Sequence, residues 1–124
     1  MYVLIVDDDI GIRELLAQVL EDEAFMSVTC FDGADALEYL RAADTLPCTI
    51  LLDLMMPRMD GWAFRQAQLQ DAALATIPVV VLSARPDLAA QGRALGVANV
   101  LSKPIDLMRL ITVVQAHCGG AVPG

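Results

Sequence analysis

Short aliphatic runs alternate with helical periodicity along this chain, and no other feature restricts its fold so tightly. The clear runs are YVLIV at 2–6, TILL at 49–52, IPVVVL at 77–82 and VANVLS at 97–102, with a weaker MSVTCF at 26–31. Apolar stretches this short, without alternation, read as strands covered on both faces. Between them, Ile12, Leu15, Leu16, Val19 and Leu20 recur at the three- and four-residue spacing of one helical face. Further helices are expected at 34–43, behind the N-cap candidate Asp32 and with Leu37 and Leu40 inward, and at 61–71. Two more are expected at 87–95, between Pro86 and Gly96, and at 105–117, with Leu107, Leu110, Ile111 and Val114 inward. Strands alternating with helices predict an α/β doubly wound parallel sheet, in which right-handed crossovers bring every strand's C-terminal end to one edge.

Polar residues gather at that edge. Asp7 and Asp8 follow the first run, Asp53 the third, Ser83 the fourth, and Lys103 lies just beyond the fifth. Ligands of such sheets bind outside the carboxyl ends of the strands, where strand order reverses. Converging carboxylates repel, so they need a cation, and an all-oxygen donor set suits a hard one such as Mg²⁺. An ammonium and a hydroxyl beside the acids suit phosphoryl oxygens. With no His, Cys or Thr at a strand end here, the nucleophile is a carboxylate, and Asp53 on the central strand is the best placed.

Other conspicuous residues have structural roles. Asp9 reads as an N-cap and Asp60, in Met59-Asp60-Gly61, as a turn residue rather than a ligand. His117 falls in a last helical turn, where a cation meets the helix dipole, and is not a phosphoryl carrier. Trp62 reads as packing against the loop 54–61, and Met55, Met56 and Met59 as loop and packing residues.

Composition narrows the classes. At 124 residues the chain suits one domain, and 56% hydrophobic residues with 5% aromatics predict an aliphatic core. A formal charge of -8 argues against a nucleic-acid partner for this domain, since that needs clustered Lys and Arg. Cys30, Cys48 and Cys118 form no C-x-x-C pair, so they are expected as apolar fillers in a reducing, cytoplasmic setting. No stretch has the length of a membrane span.

Four ordered motifs carry a resemblance that covers residues 1 to about 117: VLIVDDD, LLDLMMPRMDGW, VVVLSA and SKP. The chain resembles a receiver domain of two-component response regulators, of the chemotaxis-regulator kind. That resemblance implies a flavodoxin-like strand order 2-1-3-4-5, a receiver domain at 1–118, and a tail or linker start at 119–124. It implies a phosphorylation-controlled switch rather than an enzyme, which contributes to its own phosphoryl transfer and autodephosphorylation. Asp53 would take a phosphoryl group from a histidine kinase or phosphotransfer protein. Asp8, Asp53 and the Met55 carbonyl would ligate Mg²⁺ or Mn²⁺, with Asp7 acting through a bound water. Ser83, Lys103 and the backbone N–H groups of Met55 and Ala84 would hold phosphoryl oxygens, and Lys103–Pro104 would be cis. A downstream output domain or protein would read the state, and a phosphorylation-dependent dimer would use the fourth helix, fifth strand and fifth helix.

One position departs from the pattern. Where many receivers carry Tyr or Phe three residues before the lysine, this chain has Val100, so the readout is expected to depend on the Ser83 loop and on 85–95. Met55 and Arg85, each two residues past a site residue, are expected to flank the attacking water. Two rival functions remain on the table. One is a haloacid-dehalogenase-type phosphatase with Asp7 and Asp9 as its D-x-D, and the other a receiver-like interaction domain that takes no phosphate.

Overall fold

The computed structural model describes residues 1–84, 86–97 and 99–119; Arg85 and nearly all of the expected 119–124 tail lie outside that description. Ten elements alternate: β1 (Tyr2–Val6), α1 (Ile10–Asp22), β2 (Met26–Cys30), α2 (Gly33–Ala42), β3 (Thr49–Asp53), α3 (Gly61–Gln70), β4 (Val79–Ser83), α4 (Pro86–Ala94), β5 (Asn99–Ser102) and α5 (Leu107–Cys118). All strands pair in parallel, in the order β2-β1-β3-β4-β5. This is the expected doubly wound sheet.

Period-two alternation sends neighbouring residues of each strand to opposite faces. Leu4, Val6, Ile50, Leu52, Val79 and Val81 pack under α2 and α3 with Leu37, Leu40 and Phe64. On the other face Val3, Ile5, Leu51, Val80 and Leu82 meet Leu16 and Leu20 of α1 and Leu110 and Val114 of α5. Each fully buried leucine contributes about 2 kcal/mol. The uninterrupted apolar runs of β1, β3 and β4 follow from this two-sided cover. β2 is the weak run because it lies at the edge, with Met26 72% exposed.

Boundaries shift from the sequence reading for local reasons. β4 starts at Val79, not at position 77, because Pro78 has no N–H for the ladder; its carbonyl instead accepts from the Ile50 N–H and the Thr49 hydroxyl. α5 starts at Leu107, where the Asp106 side chain caps the N–H groups of Met108 and Arg109. Leu15, expected inward, is 47% exposed. Leu16 and Leu20 form the ridge that meets the sheet, and Leu15 stands one residue round the helix, beside the loop 103–107.

The cysteine expectation fails for two of the three. Cys48 and Cys118 are joined in a disulfide, with Cα atoms 5.2 Å apart across 70 residues of sequence. No spacing motif announces it, because the end of α5 comes over the start of β3 only once the sheet is wound. Cys30 remains a buried free thiol, and burial, with Asp35 nearby, pushes it up to about 12.

α3 carries a polar pair inside the fold. Arg65 and Gln68 are both buried; Gln68 accepts from Arg65 and donates to the carbonyls of Leu74 and Ile77. Arg65 also donates to the Leu95 and Gly96 carbonyls, so its charge faces the C-terminal end of α4.

Candidate functional site

The parallel sheet delivers its strand ends to one rim. Asp7 and Asp8 directly follow β1, Asp53 ends β3, Ser83 ends β4, and Lys103 directly follows β5. β3 lies between β1 and β4, so Asp53 occupies the centre of the rim. Asp7, Asp53 and Ser83 are buried and Asp8 is exposed. One oxygen from each of Asp7, Asp8 and Asp53 comes within 4.8 Å of the others. Two unit charges at that separation repel by about 3 kcal/mol at an effective dielectric near 20.

Lys103 answers part of that repulsion. Its Nζ lies 3.0 Å from Asp7 Oδ2 and 3.6 Å from Asp53 Oδ1. Burial works against the ammonium, but the two carboxylates outweigh it and hold the lysine pKa above its ordinary value. Asp7 is fully engaged: Oδ2 takes Lys103, Oδ1 accepts the Asp9 N–H at 2.9 Å, and its own carbonyl accepts from Arg13. Asp53 Oδ1 accepts the Met55 N–H at 3.3 Å, beside the lysine. Burial first, and then the charge of Asp7, push the Asp53 carboxyl up to about 6, against the pull of Lys103 and the Met55 amide.

This donor set fits a hard divalent cation. The candidate ligand atoms are carboxylate oxygens of Asp7, Asp8 and Asp53, and Asp7 already accepts from Lys103 and from the Asp9 N–H. Met55 opens the loop 54–60, with its side chain exposed between buried Leu54 and Met56. Its backbone N–H reaches Asp53 Oδ1.

Two glycines allow the rim to be so compact. A Cβ at Gly61 would lie 2.6 Å from the Asp53 carbonyl oxygen, and one at Gly33 2.8 Å from that of Met59. The Gly61 N–H closes the base of the loop on the Leu54 carbonyl. In sequence Gly61 reads only as part of a turn; the backbone approach that requires it appears with the third dimension.

Asp9 and Asp60 cap α1 and α3 through their side chains, which removes both from the ligand set. The Lys103–Pro104 bond is cis. His117 pairs with Asn99 Oδ1 at 3.1 Å in the last turn of α5, away from the acids. Trp62 is half-buried against the core under α3. Ala84 directly follows Ser83 and is exposed. Val100 pairs with Val81 across the sheet, and Gly92 of α4 comes close to both. Sequence reasoning did not single out Arg13 or Arg58. Arg58 lies within LLDLMMPRMDGW but its partner Asp32 is 26 residues away, and Arg13 acts on the Asp7 carbonyl.

Known proteins share this fold and sequence pattern. The response regulator receiver domain family model matches residues 3–115. Protein PilG of Pseudomonas aeruginosa is 33% identical over 98% of this chain and 90% of its own length. Response regulator Rre1 of Synechocystis is 37% identical over 90% of this chain but only 49% of its own. Several relatives therefore extend to about twice the matched length. Among solved structures, Vibrio cholerae chemotaxis protein CheY4 superposes with a TM-score of 0.82 at 30% identity, covering 94% of this chain and 97% of that one. A putative response regulator from Chloroflexus aurantiacus gives 0.85 at 26% identity, covering 93% and 94%.

Proposed function

The chain belongs to the response regulator receiver family of two-component signal transduction, and from that premise we propose that Asp53 is its phosphoacceptor. One observation carries the assignment: the Lys103 ammonium spans Asp7 and Asp53 at the rim, 3.0 Å from one and 3.6 Å from the other. A half-buried lysine between two acids marks where a phosphoryl group's charge can be met once it is bonded to Asp53.

An Asp53 carboxylate oxygen attacks phosphorus of a partner's phosphohistidine, the P–N bond breaks, and the imidazole leaves with the electron pair. Asp8, Asp53 and the Met55 carbonyl would hold Mg²⁺ or Mn²⁺, with Asp7, whose oxygens already accept from Lys103 and the Asp9 N–H, acting through a water. Bound there, the ion neutralises charge developing on the transferring group. Lys103, Ser83 and the N–H groups of Met55 and Ala84 hold the phosphoryl oxygens, and water later attacks phosphorus, breaking its bond to the Asp53 oxygen and releasing inorganic phosphate with the carboxylate restored. The domain is in this reading a switch that assists its own phosphorylation and autodephosphorylation. It works in the cytoplasm with a histidine kinase or phosphotransfer protein upstream and an output domain or protein downstream. In such a reducing compartment the Cys48–Cys118 bond is open to reduction.

Readout passes through the Ser83 loop and α4 rather than an aromatic rotamer. Val100 has no ring to swing, and Gly92 lets α4 sit close on Val81 and Val100. The face of α4, β5 and α5 is then the surface for output or dimerisation. Against a dehalogenase-type phosphatase, the carboxylates of Asp7 and Asp9 are already committed, one to Lys103 and the other to capping α1.

Incubation with Mg²⁺ and acetyl phosphate, followed by intact mass, tests the assignment. One phosphoryl group should be gained and should be lost in Asp53→Asn; an unmodified wild type, or labelling that survives the substitution, refutes it.

A further inference from the structure

The loop that presents Met55 to the site is held from outside the site. It leaves β3 after Asp53 and is closed at its base by the Gly61 N–H on the Leu54 carbonyl. Its far end is gripped by the turn between β2 and α2. The Arg58 guanidinium reaches Asp32 through Nε, 2.7 Å from Oδ2, and also through Nη2. The same guanidinium lies over the Phe31 ring, 5.3 Å from its centroid, and the Gly33 N–H donates to the Met59 carbonyl.

Asp32 is suited to be the fixed end of this clamp. Its side chain is buried, and its other oxygen caps α2 by accepting the Asp35 N–H at 2.9 Å. A carboxylate buried at a helix N-terminus and facing an arginine is rigid and charged. Arg58 is the yielding end. Its φ of 60° is left-handed, a conformation that a long side chain adopts only when the surroundings hold it there. The clamp therefore keeps the loop in a shape it would not choose alone.

That shape bears on the acids. The Met55 N–H reaches Asp53 Oδ1 at 3.3 Å, near the limit of a useful hydrogen bond, so a small outward movement of the loop would lose it.

We propose that Arg58 is a positioning residue for phosphoryl capture: through its ion pair with Asp32 it fixes the loop 54–60 so that the Met55 backbone stays aimed at Asp53 and its incoming phosphoryl group. This rests on Asp53 being the phosphoacceptor. The β2–α2 turn, which contributes no group to the site, thereby sets the reactivity of β3. Arg58→Lys keeps the charge but not the two-nitrogen grip, and so restores function only in part.

The test is the rate of phosphorylation of the whole chain by acetyl phosphate and Mg²⁺, followed by mass, in wild type, Arg58→Ala, Arg58→Lys, Asp32→Asn and the Arg58→Ala/Asp32→Asn double variant. Asp32→Asn can keep the α2 cap while removing the charge, and urea midpoints identify conditions in which every variant is folded. Misplacement of a catalytic group by a fraction of an ångström supports an expected slowing on the order of tenfold for each alanine or asparagine variant. The double variant should be no slower than the slower single one, and lysine should fall between. A purely structural role would lower the urea midpoints and leave the rates of the folded proteins equal; that result overturns the proposal, as does additive slowing in the double variant. If wild type gains no phosphoryl group, the reading of Asp53 fails and the positioning role fails with it. If wild type is labelled and the variants keep pace, only the clamp is refuted.

Discussion

Asp53→Asn should stabilise the metal-free protein at neutral pH. The folded state holds this carboxyl at about 6 against an ordinary 3.8, through burial and the neighbouring charge of Asp7. A rise of that size corresponds to about 3 kcal/mol of penalty for keeping the group ionised in the fold. Between the two values the folded chain binds more protons than the unfolded one, so stability is fully present below about pH 4 and is lost as pH rises through about 6. Asparagine removes the charge with little change of shape. In urea with a chelator at pH 7 the variant should gain up to about 3 kcal/mol, a midpoint shift of roughly 1 M or more. The gap between variant and wild type should close as pH falls toward 4. Adding Mg²⁺ should stabilise wild type more than the variant, because only the native carboxylate set gains the binding free energy. A gap that stays constant from pH 4 to 7, or a variant less stable than wild type in chelator, would refute the argument that Asp53 is held ionised at a cost.

Two other outcomes follow from the packing. Reduction of the Cys48–Cys118 bond, or Cys48→Ser, should lower stability by up to about 4 kcal/mol from the loop of 70 residues it closes; equal urea midpoints with and without dithiothreitol would contradict this. Gly61→Ala would press a methyl group against the Asp53 carbonyl, so a loss of roughly 1–3 kcal/mol is expected together with slower phosphorylation, and wild-type values for both would show that the backbone has room to yield.

Most of the fold was legible because the elements obey local rules. Two-sided burial demands continuous aliphatic runs, and so β1, β3 and β4 stood out. Asp9 and Asp32 cap helices through contacts within three residues, which a sequence can display. What stayed hidden depends on distant partners. Arg58 looks like an ordinary turn arginine until Asp32, 26 residues away, is brought beneath it. Arg65 and Gln68 interrupt an amphipathic pattern, and only the carbonyls around Leu74, Ile77, Leu95 and Gly96 explain how two polar side chains are buried there.

The candidate site divides along the same line. The sequence by itself determined which groups meet, since parallel strands joined by right-handed crossovers must present Asp7, Asp8, Asp53, Ser83 and Lys103 at one edge. It could not determine how those groups share their charges. Lys103 spanning Asp7 and Asp53, the Asp9 N–H on Asp7, and the rise of the Asp53 carboxyl came with the tertiary structure. Electrostatic interaction depends on separation and on exclusion of water, and both are set only when the rim closes. The disulfide is the sharpest case. Residues 48 and 118 have no relation in sequence, and their sulfurs meet because α5 crosses the sheet and ends over the start of β3.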